Sequence, residues 1–149
     1  MNDQDQRSKT FYVVVGSHPT AEREDRPTAY RLLERIDQAV ALMRADGAGE
    51  LKSQILTDLW FMNDPVLVAS PAIALGTAGT NAAVAHFSSR LPQALVVDGK
   101  FEILLDRASG DHRVCLRGVD GPSTALAVDA FIQRFMAHWI EEAASAAQF

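Results

Sequence analysis

The chain has 149 residues, 48% of them hydrophobic and 22% charged, with a formal net charge of −5. That length fits one domain able to bury its own core, and these proportions exclude a disordered chain. The acidic balance, with no Lys/Arg cluster interleaved with aromatics, excludes nucleic acid as the expected partner, and the single cysteine fits a reducing, cytoplasmic setting.

Residues 1–10 are polar and mixed in charge, and read as a flexible leader without the apolar centre of a signal peptide. No apolar run approaches the roughly 20 residues that cross a bilayer, so no membrane partner is expected. Tyr12 to Val15 is a continuous β-branched run, the pattern of a strand buried on both faces. Residues 17–26 then read as a long, charged connection. Pro27 opens a helix carrying Ala29, Leu32, Leu33, Ile36, Ala39, Val40 and Met43 at helical spacing, with Gly47 and Gly49 to stop it.

Residues 53–63 fit either a helical stripe or a strand. Their density of branched and aromatic residues favours the strand, which would leave Asp58 inside an apolar run and in need of a partner. Asp64 before Pro65 predicts a capped helical turn. Ala72 to Leu75 forms a second strand, followed by a helix over 81–90 that turns Ala83, Val84, Phe87 and Leu91 inward. Asp98-Gly99 between two apolar runs suits a two-residue turn with positive φ and predicts an antiparallel hairpin over 93–106, and Ser109-Gly110-Asp111 a further turn. The last strand covers Arg113 to Arg117. One long helix follows from Pro122 or Ser123 to about Ala144, its stripe including Leu126, Val128, Phe131, Phe135, Met136, Trp139 and Ile140. Residues 11–145 thus read as a single domain and 146–149 as a frayed tail. Alternating strands and amphipathic helices predict a three-layer α/β/α domain with a mainly parallel central sheet and one antiparallel hairpin. The doubly wound pattern is Rossmann-like, a resemblance that many unrelated functions share.

Three strand-like runs end in a glycine and pass through small polar residues into a helix: Gly16-Ser17-His18, Gly76-Thr77-Ala78-Gly79-Thr80-Asn81 and Gly118-Val119-Asp120-Gly121-Pro122-Ser123-Thr124. Parallel strands would bring all three junctions to one edge of the sheet, where open α/β sheets bind ligands. Free backbone N–H groups there suit an anion, with Ser17, Thr77, Thr80, Asn81, Asp120, Ser123 and Thr124 as side-chain contacts. A plainer reading has the glycines in tight turns, Thr80 or Asn81 capping one helix, and Asp120 as a turn aspartate with Ser123 or Thr124 capping the other. The motif lacks the third glycine of a dinucleotide fingerprint and the Lys-Ser/Thr ending of a P-loop, so no cofactor is named.

His18 and Asp120 are the candidate general bases, but no nucleophile–base–orienter set accompanies them. No His-Glu-x-x-His or cysteine pair suggests a metal, and Cys115, between Val114 and Leu116, reads as an inert core residue. Three functions follow: a domain binding an anionic metabolite or nucleotide, a hydrolase or transferase using the same crevice, and a non-catalytic assembly or partner-binding module. The third would place Phe135 and Trp139 at an interface, and homo-oligomerisation stays open.

Overall fold

The computed structural model describes residues 9–45, 51–106 and 112–146. Its elements in chain order are β1 (Lys9–Val15), α1 (Pro19–Ala45), β2 (Leu51–Thr57), α2 (Asp58–Met62), α3 (Pro65–Val68), β3 (Ala72–Gly76), α4 (Ala82–Ser88), β4 (Gln93–Val97), β5 (Phe101–Leu105), β6 (Arg113–Gly118), α5 (Gly121–Arg134) and α6 (Met136–Ala146). The six strands form one sheet in the order β2-β1-β3-β6-β5-β4. β2, β1, β3 and β6 run parallel, and β5 lies antiparallel between β6 and β4. Among the described residues, no helix is long and apolar enough to cross a membrane.

Alternation along the strands divides the core in two, because successive side chains point to opposite faces. Phe11, Val13 and Val15 of β1, with Ile73, Leu75, Val114 and Leu116, pack with Leu32 and Ile36 of α1, Phe131 of α5 and Ile140 of α6. The residues between them, Val14, Ala72, Ala74 and Cys115, pack with Phe61 of α2 and with Val84 and Phe87 of α4. Small residues on this second side let the short α4 lie close to the sheet. Burial pushes the Cys115 thiol up to about 12, so at neutral pH it is a packed thiol and not a nucleophile.

Several expectations need correction. The charged segment 17–26 is mostly helix: α1 starts at Pro19, with Pro27 inside it. The inward stripe simply continues upstream, with Ala21, Asp25 and Thr28 buried ahead of Ala29 and Leu32. Packing of that face outweighs the hydrogen bond that the proline ring cannot make. Residues 53–63 are neither all strand nor all helix, since β2 pairs with β1 as far as Thr57 and α2 begins at Asp58. The expected single C-terminal helix is broken at Phe135 (φ −127°), and Leu126 faces outward at 44% exposure. Finally, Thr10 and Lys9, assigned to the leader, belong to β1. The hairpin forms as expected, but the two-residue turn read from Asp98-Gly99 is a three-residue turn, 98–100, between Val97 and Phe101, with positive φ at Gly99 (+72°) and not at Asp98. The Asp64 cap stands, its carboxylate accepting from Val66 and Leu67 N–H. The turn at 109–111 and the glycines at 47 and 49 lie outside the described residues.

A helix-interior proline costs up to about 3 kcal/mol relative to alanine. Pro27→Ala should therefore stabilise the protein by about 1–3 kcal/mol in urea denaturation, with an unchanged dependence on denaturant concentration.

Candidate functional site

The C-terminal ends of β1, β3 and β6 are adjacent in the sheet, so Gly16, Gly76 and Gly118 do share one rim. The turn 98–100 joins the same rim, because β5 enters it antiparallel to β6, with Phe101 opposite Gly118. β1 has β2 on one side and β3 on the other, which makes the gap between β1 and β3 the point where the chain changes direction across the sheet.

That gap is closed by protein groups. Asn81 Nδ2 donates to the carbonyls of Val14 (3.1 Å) and Leu75 (2.9 Å), one from each parting strand. Its Oδ1 accepts from Ala83 N–H (2.9 Å) and Val84 N–H (3.1 Å), capping α4. Beside it, Asp58 Oδ1 accepts from Ser17 N–H (3.0 Å), Ser17 Oγ–H (2.7 Å) and Leu59 N–H (2.8 Å). Asp58 Oδ2 accepts from Ala82 N–H at 2.7 Å. Both side chains are buried, and the bonds supply what burial of such groups demands. The loop before α4 then lies across the end of β1. A Cβ on Gly16 would stand 1.9 Å from the Thr80 carbonyl oxygen, so only glycine fits there.

The other expected site residues are engaged as well. Thr77 and Thr80 hydroxyls bond each other at 2.8 Å. His18 Nδ1 accepts from Thr20 N–H (3.1 Å) at the start of α1. Asp120 Oδ1 accepts from Ser123 N–H (2.8 Å), and Thr124 Oγ1 donates back to the Asp120 carbonyl (2.9 Å). The Ser123 N–H at that cap holds the Asp120 carboxyl below its ordinary value, with a smaller contribution from nearby Lys100. His18 and Asp120 thus stand at two different helix starts. Among the described residues, no three His, Cys, Asp or Glu side chains gather where they could hold a metal.

The loop 78–79 stands as a ridge between two open hollows on the rim. One, of about 480 Å³, is bordered by Ser17, His18, Asp58 and Asn81, whose polar atoms carry the bonds just described. The other, also about 480 Å³, lies between Thr77–Gly79, the turn 98–100 and the end of β6, and its charged residues are Asp98, Lys100, Glu102 and Arg117. Nothing lies within 4 Å of a Cβ placed on Gly79, so the ridge is open to an approaching molecule. Glu102 is cross-strand partner to Arg117 in register, yet its carboxylate takes a hydrogen bond from the Gln93 amide. Among the described residues, neither the Lys100 ammonium nor the Arg117 guanidinium has a hydrogen-bonded or ion-paired carboxylate.

Three participants escaped the sequence reading. Lys100 and Arg117 reach the rim only because the hairpin folds onto β6, a pairing that no local pattern announces. Asp25 was visible in principle: stepping back four residues at a time from Ala29 places it on the buried stripe, together with Ala21. It is 3% exposed, its Oδ1 has no hydrogen-bond partner, and burial, with Glu24 adding to it, pushes its carboxyl up to about 6. Compared with protein-family models, curated proteins and solved structures, the chain matches none.

Asn81→Ala removes two carbonyl donors and a helix cap at once and should cost about 2–4 kcal/mol in chemical denaturation. Asp25 acts with the opposite sign. Its folded value lies above the ordinary 3.8, so the folded state holds the proton more tightly, and stability falls as pH rises from about 4 to about 6. Asp25→Asn should therefore stabilise the protein at pH 7, by at most about 3 kcal/mol, and leave it nearly unchanged at pH 4. Thermal melts across that range check the sign.

Proposed function

We propose that this protein is a small-molecule binding domain that holds an anionic metabolite or nucleotide on the C-terminal rim of its sheet. The hollow between the loop 77–79 and the turn 98–100 is the site. One observation carries the reading: Lys100 and Arg117 border this hollow without a carboxylate bonded to either, opposite a glycine loop that leaves its backbone accessible. A lysine offers a mobile point charge and an arginine a planar donor fork, a pair suited to a carboxylate or phosphate. Asp98 and Glu102 balance the formal charge of the two cations, which favours a ligand of one or two charges over a polyphosphate. Val96 and Val119, 44% and 61% exposed, give the hollow apolar walls for the uncharged part of such a ligand.

The reading moves the ligand one strand along from the place that topology alone suggests. Asn81, Ser17 and Asp58 serve the closure of the gap between β1 and β3, while Thr77 keeps a position on the ligand side. We take the architecture as three-layered and doubly wound on the same grounds: the two apolar clusters draw on different helices and on alternate residues of the same strands.

A thermal-shift panel of nucleoside monophosphates, phosphosugars and acyl phosphates tests the proposal. A ligand at 100 times its Kd should stabilise the protein by about 2.7 kcal/mol. Lys100→Met with Arg117→Met should remove that shift while preserving the fold by circular dichroism. A panel in which no compound moves the melting point, or a shift that survives the double substitution, rejects this site.

A further inference from the structure

Asp25 has no place in the proposed anion site, yet it is a buried carboxyl with one oxygen that has no hydrogen-bond partner. Its carboxylate is pressed against the base of the ridge: Oδ2 lies 3.1 Å from where a Gly76 Cβ would be, and the Asn81 side chain starts 3.5 Å from the same point. Gly76 itself has φ +135°, a conformation that side-chain-bearing residues rarely adopt. The aspartate therefore lies beside Gly76, from which the ridge loop 77–80 leaves the end of β3. We propose that Asp25 is a proton-operated positioning residue for this loop, keeping it seated on α1 when neutral and loosening it when ionised.

The physical basis is the partnerless Oδ1. A neutral carboxyl is cheap to bury, whereas a carboxylate without a donor is expensive, and the expense falls when water reaches it. Seating the loop excludes water, so seating and ionisation oppose each other. The surrounding charges do not relieve the conflict. On α1, Glu24 adds a like charge, its Oε2 lying 2.7 Å from where a Gly121 Cβ would stand at the start of α5. Arg26 donates to Glu22, Arg31 pairs with Asp129 of α5, and Arg23 is exposed. At the start of α5, Asp120 already accepts from Ser123. β1 and β3 offer only Val15, Gly16, Leu75 and Gly76 at this level, and Asn81 is neutral. The Asp25 carboxyl, pushed up to about 6, changes charge within the range of ordinary cellular pH. This inference does not depend on the ligand assignment, since its readout needs no ligand.

Hydrogen exchange of the Ala83 and Val84 amides, held by Asn81 Oδ1, measures the loosening once corrected for the intrinsic pH dependence of exchange. If Asp25 returns to its ordinary 3.8 when the loop opens, the opening constant should be about tenfold larger at pH 8 than at pH 5. Asp25→Asn should flatten that dependence, and Glu24→Gln should move its midpoint to lower pH. The Ile103 and Leu116 amides, deep in the sheet, serve as the reference for global unfolding. Global unfolding also returns Asp25 to 3.8, so the Ile103 and Leu116 constant rises with pH too but should lie well below that of Ala83 at every pH. The proposal is overturned if the Ala83 opening constant is flat, if Asp25→Asn keeps the rise, or if Ala83 and Val84 exchange with the same constant as Ile103 and Leu116. Should Asp25→Asn fail to fold, an unmoved midpoint in Glu24→Gln overturns it on its own.

Discussion

Two side chains hold the strand ends of this molecule together. Where β1 and β3 part, the carbonyls of Val14 and Leu75, one residue short of each strand's end, need partners, because buried backbone groups cannot be left without them. Asn81 answers both with one amide and uses its oxygen to start α4. Asp58 does the same work on the other side of the gap, tying the end of β1 to the starts of α2 and α4. Every later feature of the rim inherits its position from this pair. The ridge loop can cross Gly16 because Asn81 anchors its far end, and the two hollows are separate because the ridge stands between them.

The closure also explains why the proposed ligand site is not the one that topology alone would suggest. A change of direction in an open sheet creates a crevice, and crevices attract ligands. Here the protein's own amide and carboxylate occupy that crevice. Lys100 and Arg117 lie further along the rim, where β6 meets a hairpin of opposite direction. A parallel neighbour at that position would have placed a helix start at the rim. The antiparallel one places a turn there, and with it Lys100.

What the sequence made legible follows from how local each signal is. The rim of three glycines, the hairpin at Asp98-Gly99, the Asp64 cap and the buried thiol of Cys115 each rest on neighbours within a few residues, and each is found. The start of α1 was missed because Pro27 and a charged run are strong local signals against a helix interior. The stripe of Ala21, Asp25 and Ala29 overrides them only through contact with the sheet. Asp58 illustrates the same limit: strand and helix each predicted a different fate for it, whereas it begins a helix and is buried with four bonded donors. Asn81 suits a ligand contact or a cap and Ser17 a ligand contact, whereas the bonds of Asn81 to two strand carbonyls and of Ser17 to Asp58 are tertiary facts. The Lys100–Arg117 neighbourhood depends on the register between β5 and β6, which spans the whole connection between them.

The strand order has one more consequence, for the newborn chain. β6 sits between β3 and β5, so it joins the N-terminal parallel strands to the hairpin, yet it is made last of the six. Until residues 113–118 leave the ribosome, β3 and β5 each keep a bare edge, and at about 5–20 residues per second the interval after β3 lasts several seconds. During synthesis the half-built sheet is thus a template without its mate, and the arrival of one six-residue segment seals both edges at once.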